Sequence, residues 1–250
     1  MALVTFLGTG GGRYVMLSQA RYCGGIWLDL GPQMILDPGP GALVRALQFA
    51  KDPRTLNAVF ISHKHLDHYN DSEVMIEAMT DGGKRRRGSL VCPENMLEYL
   101  TDYHKASTNV IAPKPFDEFV IGGVKVRALP TKDHVDGLGY SFTTREGVVV
   151  YAADTDFSER LAREYRGASV LILNVIFPAE AEIHPHLNTD KAVEVVKIAR
   201  PDLCVITHFG TQMISADPDR QAAIIERKAG VRTIAARDGQ TFDVGGTAKK

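Results

Sequence analysis

The run Ala58-Val-Phe-Ile-Ser62 passes without a break into His63-Lys-His-Leu-Asp-His68, and this junction constrains the fold more than any other segment. A short apolar run rich in β-branched and aromatic residues predicts a buried strand. Its C-terminal edge, where α/β proteins gather their sites, must then carry three histidines and an aspartate within six positions. Side chains of that kind are costly to desolvate together unless a cation neutralises them. His63 and His65, two apart, can share one metal, while Asp67 and His68 can turn toward a second. Imidazole and carboxylate suit zinc, and manganese or iron less strictly.

Other short apolar runs predict strands at Leu3–Leu7, Gly25–Leu30, Met34–Asp37, Phe119–Val120 with Val124–Leu129, Tyr140–Thr143 with Val148–Ala152, Val170–Val175, Leu203–Thr207 and Thr233–Ala236. Helical periodicity marks Ala42–Ala50, Asp71–Met79, Pro93–His104, Phe157–Tyr165 and Pro218–Ala229. A further helix carries Ala192, Val195, Val196 and Ala199 on one face, with Asn188 or Thr189 as its cap and Pro201 as its stop. Hairpin signals at Gly122-Gly123 and Glu146-Gly147, beside strand–helix–strand alternation, imply sheets with both antiparallel and parallel pairs. Sheet faces this apolar need helices over them. The expectation is an α/β protein of two mixed sheets back to back with helices outside, an αβ/βα sandwich of four layers, although periodicity alone does not separate this from one doubly wound sheet. No low-complexity linker divides the chain, so residues 1–250 are expected to form one domain.

A formal net charge of −1 leaves no global basic footprint for nucleic acid. Cys23, Cys92 and Cys204 are widely spaced, which argues against a disulfide framework or a thiolate zinc site. The N-terminus lacks a signal-peptide pattern, and no segment approaches the ~18 apolar residues of a membrane span, so the expected location is the cytoplasm and no membrane partner is expected.

The motifs, taken in order, resemble the metallo-β-lactamase fold superfamily over nearly the whole chain. Phe6-Leu-Gly-Thr-Gly10 is similar to its opening strand and glycine turn, Ile35-Leu-Asp-Pro-Gly39 to its early Asp-bearing strand end, and His63–His68 to its signature. His134 before Leu138-Gly-Tyr140, Asp154 in Tyr151-Ala-Ala-Asp-Thr155 and His208 in Ile206-Thr-His-Phe-Gly210 follow. The resemblance implies two divalent metal ions, expected as zinc with manganese or iron as substitutes. One would lie on His63, His65 and His134, the other on Asp67, His68 and His208, with Asp154 bridging. Two such ions, less Asp67, Asp154 and a bridging hydroxide, leave about +1 in a pocket suited to an anionic substrate.

Within the superfamily the wording is similar to the ribonuclease Z and small phosphodiesterase branch. Zinc β-lactamases place a cysteine near the position of Asp154, and flavodiiron members a glutamate in place of His65. His186 in His186-Leu-Asn-Thr189 matches a His-Ser-Thr segment whose histidine assists proton transfer in ribonuclease Z-like enzymes. Only a short hairpin, Tyr140–Tyr151, fills the 20 positions from His134 to Asp154, so the long arm with which ribonuclease Z grips transfer RNA is absent from that span.

These features make phosphodiester hydrolysis the leading expectation, on a small-molecule or nucleotide-type anionic substrate, a cyclic phosphate or RNA. A bridging hydroxide would attack, Asp67 would orient it, and His186 would protonate the leaving oxygen. A thioester or lactone hydrolase is the alternative of the same fold, and a non-catalytic metal-binding sensor or scaffold the alternative of another class. A homodimer is compatible with either. Asp37 is expected to hold a ligand histidine in the right tautomer, and His184 to be peripheral. Lys84-Arg-Arg-Arg87 is expected as a solvated loop, with phosphate binding as its minor reading. The amides of Gly8-Thr-Gly-Gly-Gly12 offer a weak candidate for anion binding.

Overall fold

The computed structural model describes residues 1–181 and 184–248. Its strands are β1 (Leu3–Phe6), β2 (Ile26–Asp29), β3 (Gln33–Leu36), β4 (Ala58–Phe60), β5 (Ser89–Val91), β6 (Asn109–Ile111), β7 (Glu118–Ile121), β8 (Val124–Pro130), β9 (Leu138–Thr143), β10 (Val148–Tyr151), β11 (Val170–Phe177), β12 (Leu187–Asn188), β13 (Leu203–Thr207), β14 (Thr233–Ala235) and β15 (Thr241–Asp243). One sheet has the order β15-β1-β2-β3-β4-β5-β6, and the other β14-β13-β11-β10-β9-β8-β7, with β12 added beside β11. Each is antiparallel along β15-β1-β2-β3 or β7-β8-β9-β10, and parallel beyond.

Strand alternation explains the layering. In β4, Phe60 faces the opposite sheet, where it meets Tyr140 and Phe142, while Val59 faces outward. In β11, Val170 and Ile172 enter the same central core, and Leu171 and Leu173 face the outer helices. Helices Ala42–Gln48 and Ser72–Thr80 cover one sheet through Ala42, Ala46, Met75, Ile76 and Met79. Helices Glu159–Glu164, Thr189–Ala199 and Pro218–Ala229 cover the other. Strands buried on both faces therefore need the continuous apolar runs seen in the sequence, and the αβ/βα sandwich of two mixed sheets is what forms.

Three local differences have physical causes. The helix expected over Pro93–His104 is broken: Glu94–Tyr99 is a 3₁₀ turn, Leu100 is extended, and a new helix, Asp102–Ala106, starts at the Thr101 cap. The helix expected over Phe157–Tyr165 is shorter, Glu159–Glu164, because Ser158 caps it by accepting from the Leu161 amide. The basic loop lies where β5 begins, paired with the start of β4 and hence at the sheet edge away from His63. There Arg87 donates to the carbonyls of Arg54, Leu56 and Met79, which makes it a tie between loops.

Candidate metal centre

Strands β3, β4, β8, β10, β11 and β13 all release their chains at one edge, and the segments that follow carry Asp37, His63–His68, His134, Asp154 and His208, beside Asn174 near the end of β11. Backbone bonds stitch the two sheets together there: Leu138 N–H donates to Ser62, Phe209 N–H to Thr9, and Gly11 N–H to Phe209. The donors fall into two groups. His63 Nε2 stands 3.0 Å from His65 Nδ1 and 3.2 Å from His134 Nε2. His68 Nε2 lies 3.8 Å from Asp67 Oδ2, and His208 Nε2 lies 3.6 Å from the same oxygen. Asp154 Oδ2 sits between the groups, 3.3 Å from His208, 3.5 Å from His68 and 3.8 Å from His134.

This arrangement fits a pair of divalent ions. Tetrahedral ligands at ~2.0–2.1 Å from zinc stand about 3.3 Å apart, close to the spacing of the three imidazole nitrogens. Buried His68 Nε2 and His208 Nε2 have no hydrogen-bond partner, although nearly every buried polar atom in a protein has one. All seven residues expected as ligands are brought together, in sets of three whose donor atoms lie within 4.8 Å of one another.

A ring of hydrogen bonds holds the donors in place. Asp37 Oδ2 accepts from His68 Nδ1 at 2.8 Å, from the Ser62 hydroxyl at 2.6 Å and from the Tyr151 hydroxyl at 2.5 Å. Its Oδ1 accepts from the Ser62 amide. Ser62 Oγ also contacts His63 Nδ1 at 2.9 Å, so one carboxylate orients a histidine of each group. Asn174 donates to Asp154 Oδ1 at 2.7 Å, which leaves Oδ2 facing the histidines. Sequence reasoning found Asp37 but missed Ser62, Tyr151 and Asn174. Asn174 did leave a signal, since a lone amide inside Val170-Leu-Ile-Leu-Asn-Val-Ile-Phe177 must find a partner once buried.

The electrostatics differ between the groups. Burial is the main cause that holds His63 well below the usual imidazole range, lowers His65, and pushes His134 down to about 4. The first group is thus a set of neutral imidazoles, the form that binds metal. Burial also pulls His68 down most strongly, but Asp154, Asp67 and Asp37 together outweigh it and raise His68 well above its usual range. Burial likewise works against the charge of Asp154, and the adjacent His208 and His68 overcome it, keeping the carboxylate ionised. The three carboxylates around His68 make the second group the more electronegative of the two, the setting that a cation would neutralise.

The centre opens into a cavity of about 560 Å³ whose lining includes His65, Asp67, Asp154 and His186 together with Arg13, Tyr14, Lys64 and Phe177. His186 Nδ1 is 3.7 Å from Asp154 Oδ2, and its ring lies 4.7 Å from that of His134. His184 is mostly exposed and pairs with Asp156 instead. The glycine turn does not cradle an anion. The amides of Gly8 to Gly12 donate to Gly25, Asp238, Tyr22, Phe209 and Asp67 in turn, so all five are spent within the protein. Its glycines serve close approach, because a Cβ on Gly11 would lie 2.3 Å from the His208 ring.

Comparison with known proteins agrees with this geometry. The model of the beta-lactamase superfamily domain matches residues 33–209, from before Asp37 to just past His208. The chain is 33% identical over 249 residues to an uncharacterized protein of Methanocaldococcus jannaschii, covering 94% of this chain and 92% of that protein. It is 27% identical over 150 residues to ribonuclease Z of Methanosarcina acetivorans, covering 56% of this chain and 48% of that enzyme, so the match spans about half of the enzyme's length. The metallo-beta-lactamase fold protein YhfI from Bacillus subtilis superposes with a TM-score of 0.83 at 21% identity, covering 96% of this chain and 98% of that one. With its fold, its donor set and these relatives, the chain belongs to the beta-lactamase superfamily, near the ribonuclease Z branch and with the equipment of a metal-dependent hydrolase.

Proposed function

We propose that the protein is a dinuclear metal-dependent phosphodiesterase acting on a small nucleotide-type or cyclic phosphodiester, with zinc as its metal. The observation that carries this reading is the pair of three-donor groups, His63/His65/His134 and Asp67/His68/His208, sharing Asp154 Oδ2 at the floor of a cavity that also holds His186. Two divalent ions bound there would neutralise a phosphate and supply a water that is nucleophilic at neutral pH. Asp67, held by the Gly12 amide at 2.6 Å, would orient that water. His186, half-buried at the cavity wall, would give a proton to the leaving oxygen. Such a proton donor contributes about 10²–10⁴-fold. The relationship to ribonuclease Z supports phosphodiester chemistry, and the short hairpin β9–β10 between His134 and Asp154 favours a small substrate over transfer RNA.

The test is metal analysis of the purified protein, followed by assays on bis-p-nitrophenyl phosphate, cyclic nucleotides, short RNA, thioesters and lactones. About two metal equivalents and turnover of phosphodiesters are expected, with His186→Ala lowering kcat by about 10²–10⁴ while metal content is retained. Turnover of acyl substrates alone would transfer the protein to the thioester or lactone class. A metal-loaded protein inert toward every substrate would favour a sensor or scaffold.

A further inference from the structure

The cavity beside the metal centre holds a charge pattern that the metal chemistry leaves unused. Among the described residues, and apart from Asp67 and Asp154 at the centre itself, the side chains lining it that carry a full charge at neutral pH are Arg13 and Lys64. Arg13 is exposed and makes no hydrogen bond or ion pair among the described residues, and Lys64 touches only the face of the Tyr99 ring, 5.8 Å from its centroid. Both are tied to the centre through the chain: Arg13 follows Gly12, whose amide holds Asp67, and Lys64 lies between His63 and His65. Elsewhere on the surface many cations have acidic partners, as Lys125 has Glu118, Lys228 has Asp190 and Arg237 has Asp219. Two cations without ion-pair partners among the described residues, lining a cavity whose centre would hold divalent ions, give that cavity a positive potential that draws anions in. Tyr14, Met16, Leu66, Ile176 and Phe177 give the lining an apolar and aromatic part, beside the polar Thr211 and Gln212.

We propose that Arg13 and Lys64 form a second anion subsite, so that the substrate carries two anionic groups joined by an apolar or aromatic body: one group at the metals, the other on these two cations. The chemical class is a nucleotide-like phosphodiester bearing a further free phosphate. This rests on the phosphodiesterase reading for the identity of the first group, while the second group follows from the cavity alone. Arg13 offers a planar fork suited to a phosphate and Lys64 a point charge.

The experiment measures equilibrium binding of adenosine 3′,5′-bisphosphate and adenosine 5′-monophosphate to the metal-loaded protein by calorimetry, for wild type, Arg13→Gln, Lys64→Gln and the double variant, with Lys84→Gln in the remote loop as control. Metal content is determined on the same samples. The bisphosphate should bind about tenfold or more tightly than the monophosphate. That ratio should fall in each single variant, approach one in the double variant, and stay unchanged in Lys84→Gln. Because both cations are exposed, the ratio should also shrink with added salt. Equal affinities in wild type, or a ratio that survives the double variant, would overturn the subsite. If the double variant loses metal, Arg13→Gln alone decides. A wild type that discriminates the two ligands yet cleaves no phosphodiester would sink the phosphodiesterase reading and leave the subsite standing.

Discussion

Asp37 shows how one side chain orients two groups of candidate metal donors. It is buried, has a left-handed φ of 49°, and binds His68 directly and His63 through Ser62. Asp37→Asn keeps the shape but turns one acceptor into a donor that faces the Ser62 and Tyr151 hydroxyls and His68. Metal affinity should fall about 10–100-fold, read by competition with a chromophoric chelator, with the fold intact by circular dichroism. An unchanged affinity would show that the ring of hydrogen bonds does not tune the centre. The histidines also set a pH dependence in the metal-free protein. His134 titrates at about 4 in the fold and near 6.5 when unfolded, so between those values the unfolded chain binds a proton that the folded chain does not. Stability is therefore full above 6.5 and is lost on acidification toward 4. His68 has the opposite sign: its raised value stabilises at low pH, and that stabilisation is lost as pH rises through it. The fall in melting temperature between pH 6.5 and 4 should be smaller in His134→Asn than in wild type, and an equal fall would count against a neutral buried His134.

Elements matter by where their ends fall. The helix Thr189–Ala199 starts two residues after Leu187, beside His186, and its cap is Asn188, whose side chain accepts from the Lys191 amide at 2.9 Å and donates to the Ala181 carbonyl at 2.7 Å. Asn188→Ala removes both bonds. A lost N-cap costs about 1 kcal/mol, or roughly 2–4 °C in a protein of this size. Differential scanning calorimetry should show that shift, and a kcat reduced more than the stability change explains would mark the cap as a support for His186. The glycine turn after β1 works by closeness in the same way, with Gly11 against the His208 ring.

At the scale of the whole molecule, the centre exists only when both sheets are docked. His63, His65, Asp67 and His68 leave one sheet, while His134, Asp154 and His208 leave the other. Each group takes donors from both sheets, so an ion on either one binds the folded state alone, and at a hundredfold excess over its Kd contributes about 2.7 kcal/mol. Metal addition to chelator-treated protein should raise the melting temperature by about 5–10 °C. No change on metal addition would mean that the donors are not joined by a shared ion. The same docking sets the imidazoles of His68 and His208 against buried Asp154 and part-buried Asp67, which keeps both carboxylates in their charged form.

The sequence alone determined the elements and most of the donor set. Period-two alternation and doubly buried apolar runs mark the strands, the hairpin glycines mark β7–β8 and β9–β10, and His63–His68 marks the edge where chemistry collects, because these signals are local in the chain. Short strands such as β5 and the edge strands β6 and β15 escaped notice, since three residues carry too little periodicity. Only the tertiary structure decided that Asp37 orients both histidine groups, that Asn174 turns Asp154 toward them, that the glycine amides are already paired, and that Lys84–Arg87 lies at the far edge. Each of these depends on which atoms meet in the folded molecule, through contacts between residues up to 229 positions apart. Local pattern carries no record of such meetings.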